Sequence, residues 1–225
     1  MFKGFTDKTY EYFMAIRANN NRTFFQDNHD WYVDEVRTPM RELAAEIGGQ
    51  IGEMDARLET RPEKVVSRPN RDIRFSKDKS PYADYIWMAF RRPGEERKTT
   101  LGVYFDMSDG GASFGMGFYD ENKPVMNALR RKLTTEPDVF TEVMAPAMEY
   151  FTLHAKSYKK IAVPDDLPDA LKAWYPLRGF YVEREISDFK LLKSPDLTQY
   201  LLSGYRIAAP LYRYIVDLQP EEAIL

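Results

Sequence analysis

The 225-residue chain contains no cysteine, which excludes disulfides, thiolate catalysis, cysteine zinc sites and iron–sulfur ligation together. Histidine is scarce as well. His29 and His154 are the only two, and neither has acidic residues at a recognisable ligand spacing, so the expectation is no metal and no cofactor. Long apolar runs are missing: the opening Met1-Phe2-Lys3-Gly4-Phe5-Thr6-Asp7 lacks the stretch of a signal peptide, and no later run approaches a bilayer-spanning length. A cytoplasmic protein without membrane contact is expected. Ser113 sits between Ala112 and Phe114 without a Gly-x-Ser-x-Gly elbow, and the glycine-rich stretch 110–117 has no Lys-Ser or Lys-Thr after it, so neither a serine triad nor a phosphate loop is indicated.

What is present suits a folded chain, with 44% hydrophobic and 30% charged residues. One domain over residues 1–225 is expected, with a helical N-terminal third, a central antiparallel sheet and a C-terminal helix. A net charge of −3 and a pI near 5.6 argue against a surface built throughout for nucleic acid or anionic membrane. Positive charge is concentrated locally, because residues 61–100 hold eleven Lys or Arg against six Asp or Glu.

Thr6 reads as a helix N-cap with Phe5 and Tyr10 placed as a hydrophobic staple, followed by Tyr10, Phe13, Met14 and Arg17 at helical spacing. Asn19-Asn20-Asn21 breaks this helix, and Asn19, Asn20 and Arg22 are expected to form an ordered junction. Val33, Val36, Met40, Leu43 and Ile47 mark a second helical region, with Pro39 as a kink or a new start at Thr38 and Gly48-Gly49 as its end. Strand character is expected from Ile51. Asp84 to Arg91 and Thr99 to Met107 read as a hairpin about Pro93-Gly94, and a turn at Asp109-Gly110 leads into Ala112 to Tyr119.

That turn sets Phe105 opposite Phe114, Val103 opposite Met116 and Leu101 opposite Phe118, an apolar face. The other face receives Tyr85, Trp87, Tyr104 and Asp106 beside glycines, as a seat for close-packed helices or as a pocket floor. Downstream, helices are expected from Lys123-Pro124 and Pro137, strands within 150–163 and 180–186, and a last helix from Ser194-Pro195-Asp196 with Leu197, Leu201, Tyr205, Ala208, Leu211 and Ile215 as its stripe. The fold class is α+β, an antiparallel sheet with a central meander and helices from both chain ends packed on it.

Chemistry concentrates in Arg68-Pro69-Asn70-Arg71-Asp72-Ile73-Arg74-Phe75-Ser76-Lys77-Asp78-Lys79-Ser80-Pro81-Tyr82. In an extended segment Ile73 and Phe75 draw Arg71 inward, while Asp72 and Arg74 face the other way. An inward arginine needs a carboxylate or a bound anion.

These residues resemble an uncharacterised bacterial family of unknown function marked by Arg-x-x-Arg-Asp-x-Arg-Phe followed by Asp or Asn, Lys and Tyr. The matching positions are Arg68, Arg71, Asp72, Arg74, Phe75, Asp78, Lys79 and Tyr82. Asn19-Asn20 with Arg22 and Phe25, the strand Gly111 to Gly117 and the helix bearing Arg130 and Arg131 are similar too, with Phe24 departing from the family's usual Trp. The resemblance implies no activity.

Two readings follow from the motif. In one, Arg71, Asp72, Arg74, Asp78 and Lys79 form a structural ion-pair network. In the other, Arg71 and Arg74 clamp a small phosphate- or carboxylate-bearing ligand, Lys79 adds charge, Asp72 or Asp78 orients them, and Arg68, Tyr82, Trp87, Tyr104 and Asp106 complete the site. The alternative is a noncatalytic module whose basic segment meets a protein or nucleic acid. No reaction is named by either.

Overall fold

The computed structural model describes residues 1–74, 77–94, 96 and 98–218. Helices α1 (Asp7–Ala18), α2 (Arg22–Asp27) and α3 (His29–Tyr32) lead through a π-helical turn (Val33–Arg37) into α4 (Thr38–Met54) and the short α5 (Pro62–Val65). Strands β1 (Tyr85–Arg91), β2 (Gly102–Ser108) and β3 (Gly111–Gly117) follow, then α6 (Lys123–Thr135), α7 (Pro137–Tyr150) and β4 (Thr152–Ser157). The chain closes with α8 (Asp169–Lys172), β5 (Leu177–Ile186), α9 (Phe189–Leu192) and α10 (Leu197–Asp217). The five strands form one antiparallel sheet in the order β1-β2-β3-β5-β4, contacted by α4 and α10. No helix among the described residues is long and apolar enough to cross a membrane.

Two compact units emerge from this chain. The first comprises Met1–Phe90, Tyr104–Phe114 and Glu185–Leu202; the second comprises Arg91–Val103, Gly115–Arg184 and the stretch that begins at Ser203. In the first, Phe5 stacks on Phe105 with ring centroids 6.3 Å apart, and Phe114 meets Tyr200 edge-on at 5.7 Å. In the second, Phe140, Trp174 and Phe180 form a chain of edge-to-face contacts at 5.0 Å each. Burial of apolar surface is the dominant favourable term in folding, and these rings are large contributors to it.

Helix α1 starts at Thr6 as expected, with Phe5 and Tyr10 both buried and the Thr6 N–H donating to Thr9 Oγ1 at 3.1 Å. Its inward face differs from the expected stripe: Met14 is exposed, whereas Tyr12 and Ile16 are buried. The helix after Pro39 does not stop at Gly48-Gly49 but runs on to Met54. Gly48 is used for close packing there, since a Cβ would lie 3.2 Å from the Thr60 carbonyl oxygen, while Gly49 faces open space. Packing thus outweighs the poor helix propensity of glycine, about 1 kcal/mol per residue. The strand character expected from Ile51 is also corrected, as 55–61 is irregular and only Val66 and Asn70 make isolated bridges, to Met88 and Tyr82.

The apolar face is as expected: Leu101, Val103, Phe105, Phe114, Met116 and Phe118 are all buried. Ser113 Oγ donates to Asp106 Oδ2 at 3.1 Å, the pair that a turn at Asp109-Gly110 sets opposite one another. The β3 glycines, however, serve neither a helix nor a pocket. A Cβ on Gly115 would lie 1.8 Å from the Val182 carbonyl oxygen, and one on Gly117 would lie 2.3 Å from Tyr181 Cα, so β5 occupies the space. Gly111, with φ of 128°, likewise approaches the Ile186 carbonyl. The final helix buries its whole expected stripe from Leu197 to Ile215 and carries Pro210 within it.

These glycines give a paired test in urea titrations. Gly115→Ala must displace backbone and is expected to cost about 1 to 3 kcal/mol or more, the range for overpacking. Gly49→Ala is expected to stabilise by about 0.5 to 1 kcal/mol, because the added methyl meets nothing and removes backbone entropy from the unfolded chain. Equal losses in both would show that β5 does not press on Gly115.

Candidate functional site

Much of the Arg68 to Tyr82 segment is organised around one carboxylate. Asp84 Oδ1 accepts from Arg71 Nη2 at 2.8 Å and Asp84 Oδ2 accepts from Arg17 Nε at 2.7 Å. Arg17 continues to Asp109 through two bonds of 2.7 and 2.6 Å, and Arg71 continues to Asp78 at 3.1 Å. Arg71 Nε also donates to the Tyr82 carbonyl at 3.3 Å, and its guanidinium lies 5.8 Å from the Tyr85 ring centroid. Arg71 and Asp84 are 18% and 20% exposed, so this pair is well shielded from solvent, whereas the Arg17 end is open.

The inward arginine is therefore neutralised by the protein's own acids. It is not drawn in by strand alternation: Ile73 is 40% exposed, the segment 71–74 is not a strand, and Phe75 lies outside the described residues. Arg74 and Asp72 pair with each other at 2.8 Å on the surface, at 76% and 59% exposure. Lys79 Nζ donates to the Ile73 carbonyl at 2.8 Å, and Asp78 accepts from the Ser80 N–H and hydroxyl. Arg68 is exposed; Trp87, Tyr104 and Asp106 are half-buried on their strands, and the Trp87 backbone pairs with Ser67.

The asparagine junction is ordered as expected and locks the far end of the motif. Asn20 exchanges two bonds with the Tyr82 backbone, at 2.9 and 3.0 Å, while Asn19 reaches the Ala15 carbonyl and Asn21 caps α2 through the Phe24 N–H. Tyr82 itself is buried and stacks face to face on Phe25, with centroids 4.0 Å apart and planes 10° from parallel.

Around that stack lies a cluster that the linear pattern does not reveal. Tyr12, Tyr32 and Tyr82 are all buried; the Tyr32 ring is 5.6 Å from both Tyr12 and Phe25. Among the described residues the enclosed Tyr32 hydroxyl has no hydrogen-bond partner, and the buried Arg41 Nε has none either. Arg37 and Arg41 are half-buried and have no carboxylate partner among the described residues. Burial pushes the Tyr32 phenol up to about 12, against the opposing pull of Arg37 and Arg41. The Tyr12 phenol is raised by burial first and then by its neighbours Tyr32 and Tyr82.

Local backbone chemistry explains how Arg37 reaches Tyr32. In a regular α-helix five residues carry a side chain about 140° around the axis, away from its starting face. The π-helical turn, closed by the Thr38 N–H on the Val33 carbonyl, turns through more residues per circuit and brings Arg37 to 6.0 Å from the Tyr32 ring. Pro39 offers no N–H to the Glu35 carbonyl, and Thr9 Oγ1 donates to that carbonyl instead, at 2.7 Å. Arg41, in the first turn of α4, follows four residues after Arg37, the last residue of the π-helical turn, and so lies on the same helical face. The sequence signal was this i, i+4 arginine pair beside a proline, without any mark of the tyrosines around it.

In the second unit an open cleft of about 250 Å³ is lined by residues including Phe118, Glu121, Lys156 and Gly179. His154 stacks on Tyr181 there at 4.8 Å and faces Glu183 at 3.8 Å. No group of three metal-ligating side chains occurs among the described residues.

The Asp84 network carries a pH signature. Burial raises the Asp84 carboxyl, but the Arg17 hydrogen bond, its own backbone amide and the charges of Arg17 and Arg71 prevail and hold it below the ordinary aspartate value. Stabilisation is then present above the unfolded value of about 3.9 and is lost as pH falls through the depressed folded one. Asp84→Asn is expected to cost about 1 to 3 kcal/mol in urea titrations at pH 7 and less at pH 2.5, below the unfolded value, where wild type has lost part of the same contribution. A variant equally destabilised at both values would remove the network from this account.

No curated protein matches the chain. Its match is to a family model that covers residues 8–214, nearly the whole of the sequence and both halves of the motif neighbourhood. The chain belongs to the family described as Conserved hypothetical protein (DUF2461).

Proposed function

We propose that this protein binds a small anionic ligand, phosphate- or carboxylate-bearing, between the Arg37–Arg41 face and the Tyr12, Tyr32 and Tyr82 hydroxyls. The carrying observation is a pair of half-buried guanidiniums without a carboxylate beside an enclosed phenol without a partner. Proteins seldom leave such groups unsatisfied, since each costs about 1 to 3 kcal/mol, and an anion would satisfy them together. Tyr82 brings the motif into this site, and the Arg17, Asp84 and Arg71 network serves as its frame.

A second reading is favoured by the exposure of Arg68, Arg74, Lys77 and Lys79, which present a basic strip to solvent. It would suit a protein or nucleic-acid partner and would leave the tyrosine cluster unaffected.

A thermal-shift screen with phosphorylated and carboxylated compounds tests the first reading by mass action on the folded state. Wild type is expected to gain several degrees with a bound compound. Arg41→Met is expected to abolish that gain while making the free protein as stable or more stable, by about 1 kcal/mol, because it removes an unpaired charge. Arg74→Ala should retain the full response. A response lost in Arg74→Ala and kept in Arg41→Met would move the site to the exposed motif.

A further inference from the structure

The donor set is specific enough to say more than anion. We infer that the site takes the dianionic phosphoryl group of a small phosphate monoester in preference to a carboxylate, an inference that rests on the anion site proposed above. Charge is the first argument. Arg37 and Arg41 bring two permanent positive charges; of the acids on the same turns, Glu35 accepts from Thr6 at 2.6 Å and faces Lys8, Glu42 faces the N-terminal amine, and the exposed Asp34 makes no ion pair with either arginine among the described residues. A monocarboxylate would leave one guanidinium uncompensated; a phosphate monoester above its second ionisation balances both.

Donor count is the second argument. Each guanidinium presents a fork of N–H groups, and the three phenols add one O–H each. Tyr12 and Tyr82 hydroxyls, like that of Tyr32, have no protein hydrogen bond among the described residues. A phosphoryl group offers three strong acceptor oxygens against two for a carboxylate, and so engages more of these donors. The rings of Tyr12, Phe25 and Tyr82 pack about the enclosed Tyr32 phenol, an apolar surround in which charge-assisted bonds are stronger. Burial also raises the Tyr12 and Tyr32 phenols above their ordinary value, so that these two remain donors near neutral pH.

Binding should therefore follow the second ionisation of the ligand, near pH 6 for a monoester. The other charged groups at the cluster do not imitate this. Arg37 and Arg41 keep their charge, and Asp84, bonded to Arg17 and Arg71, is already ionised. His29, whose ring is 5.8 Å from Phe25 and whose Nδ1 is 3.7 Å from Asp30, is the histidine at the cluster's edge, and the His29→Gln variant removes it from the comparison.

Calorimetric titration of the full chain with phenyl phosphate, inorganic sulfate and benzoate at pH 5 and pH 7 separates the possibilities, with His29→Gln measured alongside. Phenyl phosphate is expected to bind about tenfold more tightly at pH 7 than at pH 5, following the rise in its dianion. Sulfate, a dianion at both values, should change little, and benzoate should bind at least about tenfold more weakly than phenyl phosphate at pH 7, as the loss of one charge-assisted contact implies. Benzoate binding as tightly as phenyl phosphate, or phosphate affinity that ignores pH in both wild type and His29→Gln, overturns the dianion while leaving an anion site standing. Absence of binding by all three, or phosphate binding that survives in an Arg37→Gln, Arg41→Gln double variant, overturns the site itself.

Discussion

Asp84 is the point through which the first unit's polar architecture is tied together. Its two oxygens take Arg17 from α1 and Arg71 from the motif, and Arg17 in turn reaches Asp109 at the β2–β3 turn. Helix α1, the long connection before β1 and the hairpin turn are thus fixed by three acids and two arginines. The cluster is acidic by one charge, and its central acid is mostly covered. Removing one partner from such a pair costs more than the pair contributes, because the remaining charge has already lost its water. With Asn20 holding the Tyr82 backbone from the other side, the segment ends in a fixed place, and Tyr82 can stack on Phe25.

A second backbone constraint sits in the helix opposite. Pro39 cannot complete the ladder, the Glu35 carbonyl turns to Thr9, and one π-helical turn shifts the phase of everything before it relative to α4. The shift is what sets Arg37 against Tyr32. Irregular helical turns of this kind are frequent where side chains do work other than packing. Here the side chains that gain are two arginines without carboxylates and a phenol without a partner among the described residues, while Arg71 and Arg74 of the motif are paired with Asp84, Asp78 and Asp72. The proposed anion site and its frame are in this sense complementary: Arg71 is balanced by the carboxylates of Asp84 and Asp78, and Arg37 and Arg41 have none among the described residues.

The sheet was legible because alternation and a two-residue turn leave little freedom. Once Asp109-Gly110 is the turn, a slip by one residue would expose Phe105 and Phe114 together, so the register has no competitor. The late elements were legible for similar reasons, with proline and serine marking the starts of α6, α7 and α10. Gly48-Gly49 misled because propensity is a weak local preference that a buried helix face overrides; the second glycine is tolerated and the first is needed where Thr60 comes close. The β3 glycines marked close approach correctly, but nothing in the sequence says that the approaching backbone is β5, some seventy residues later.

The sequence by itself determined the α+β class, the apolar face of the meander, the helix starts and the presence of a charged segment whose inward arginine needed a partner. Those properties depend on side-chain periodicity and on residues with restricted backbones, which act over a few positions. Only the tertiary structure decided what that partner is, since Asp84 and Arg17 lie thirteen and fifty-four residues from Arg71 in the chain, and only it gathered Tyr12, Tyr32, Tyr82, Arg37 and Arg41. Such convergence is set by which helix face turns inward and by where a proline interrupts the ladder, and both are resolved by packing between distant segments rather than by local spacing.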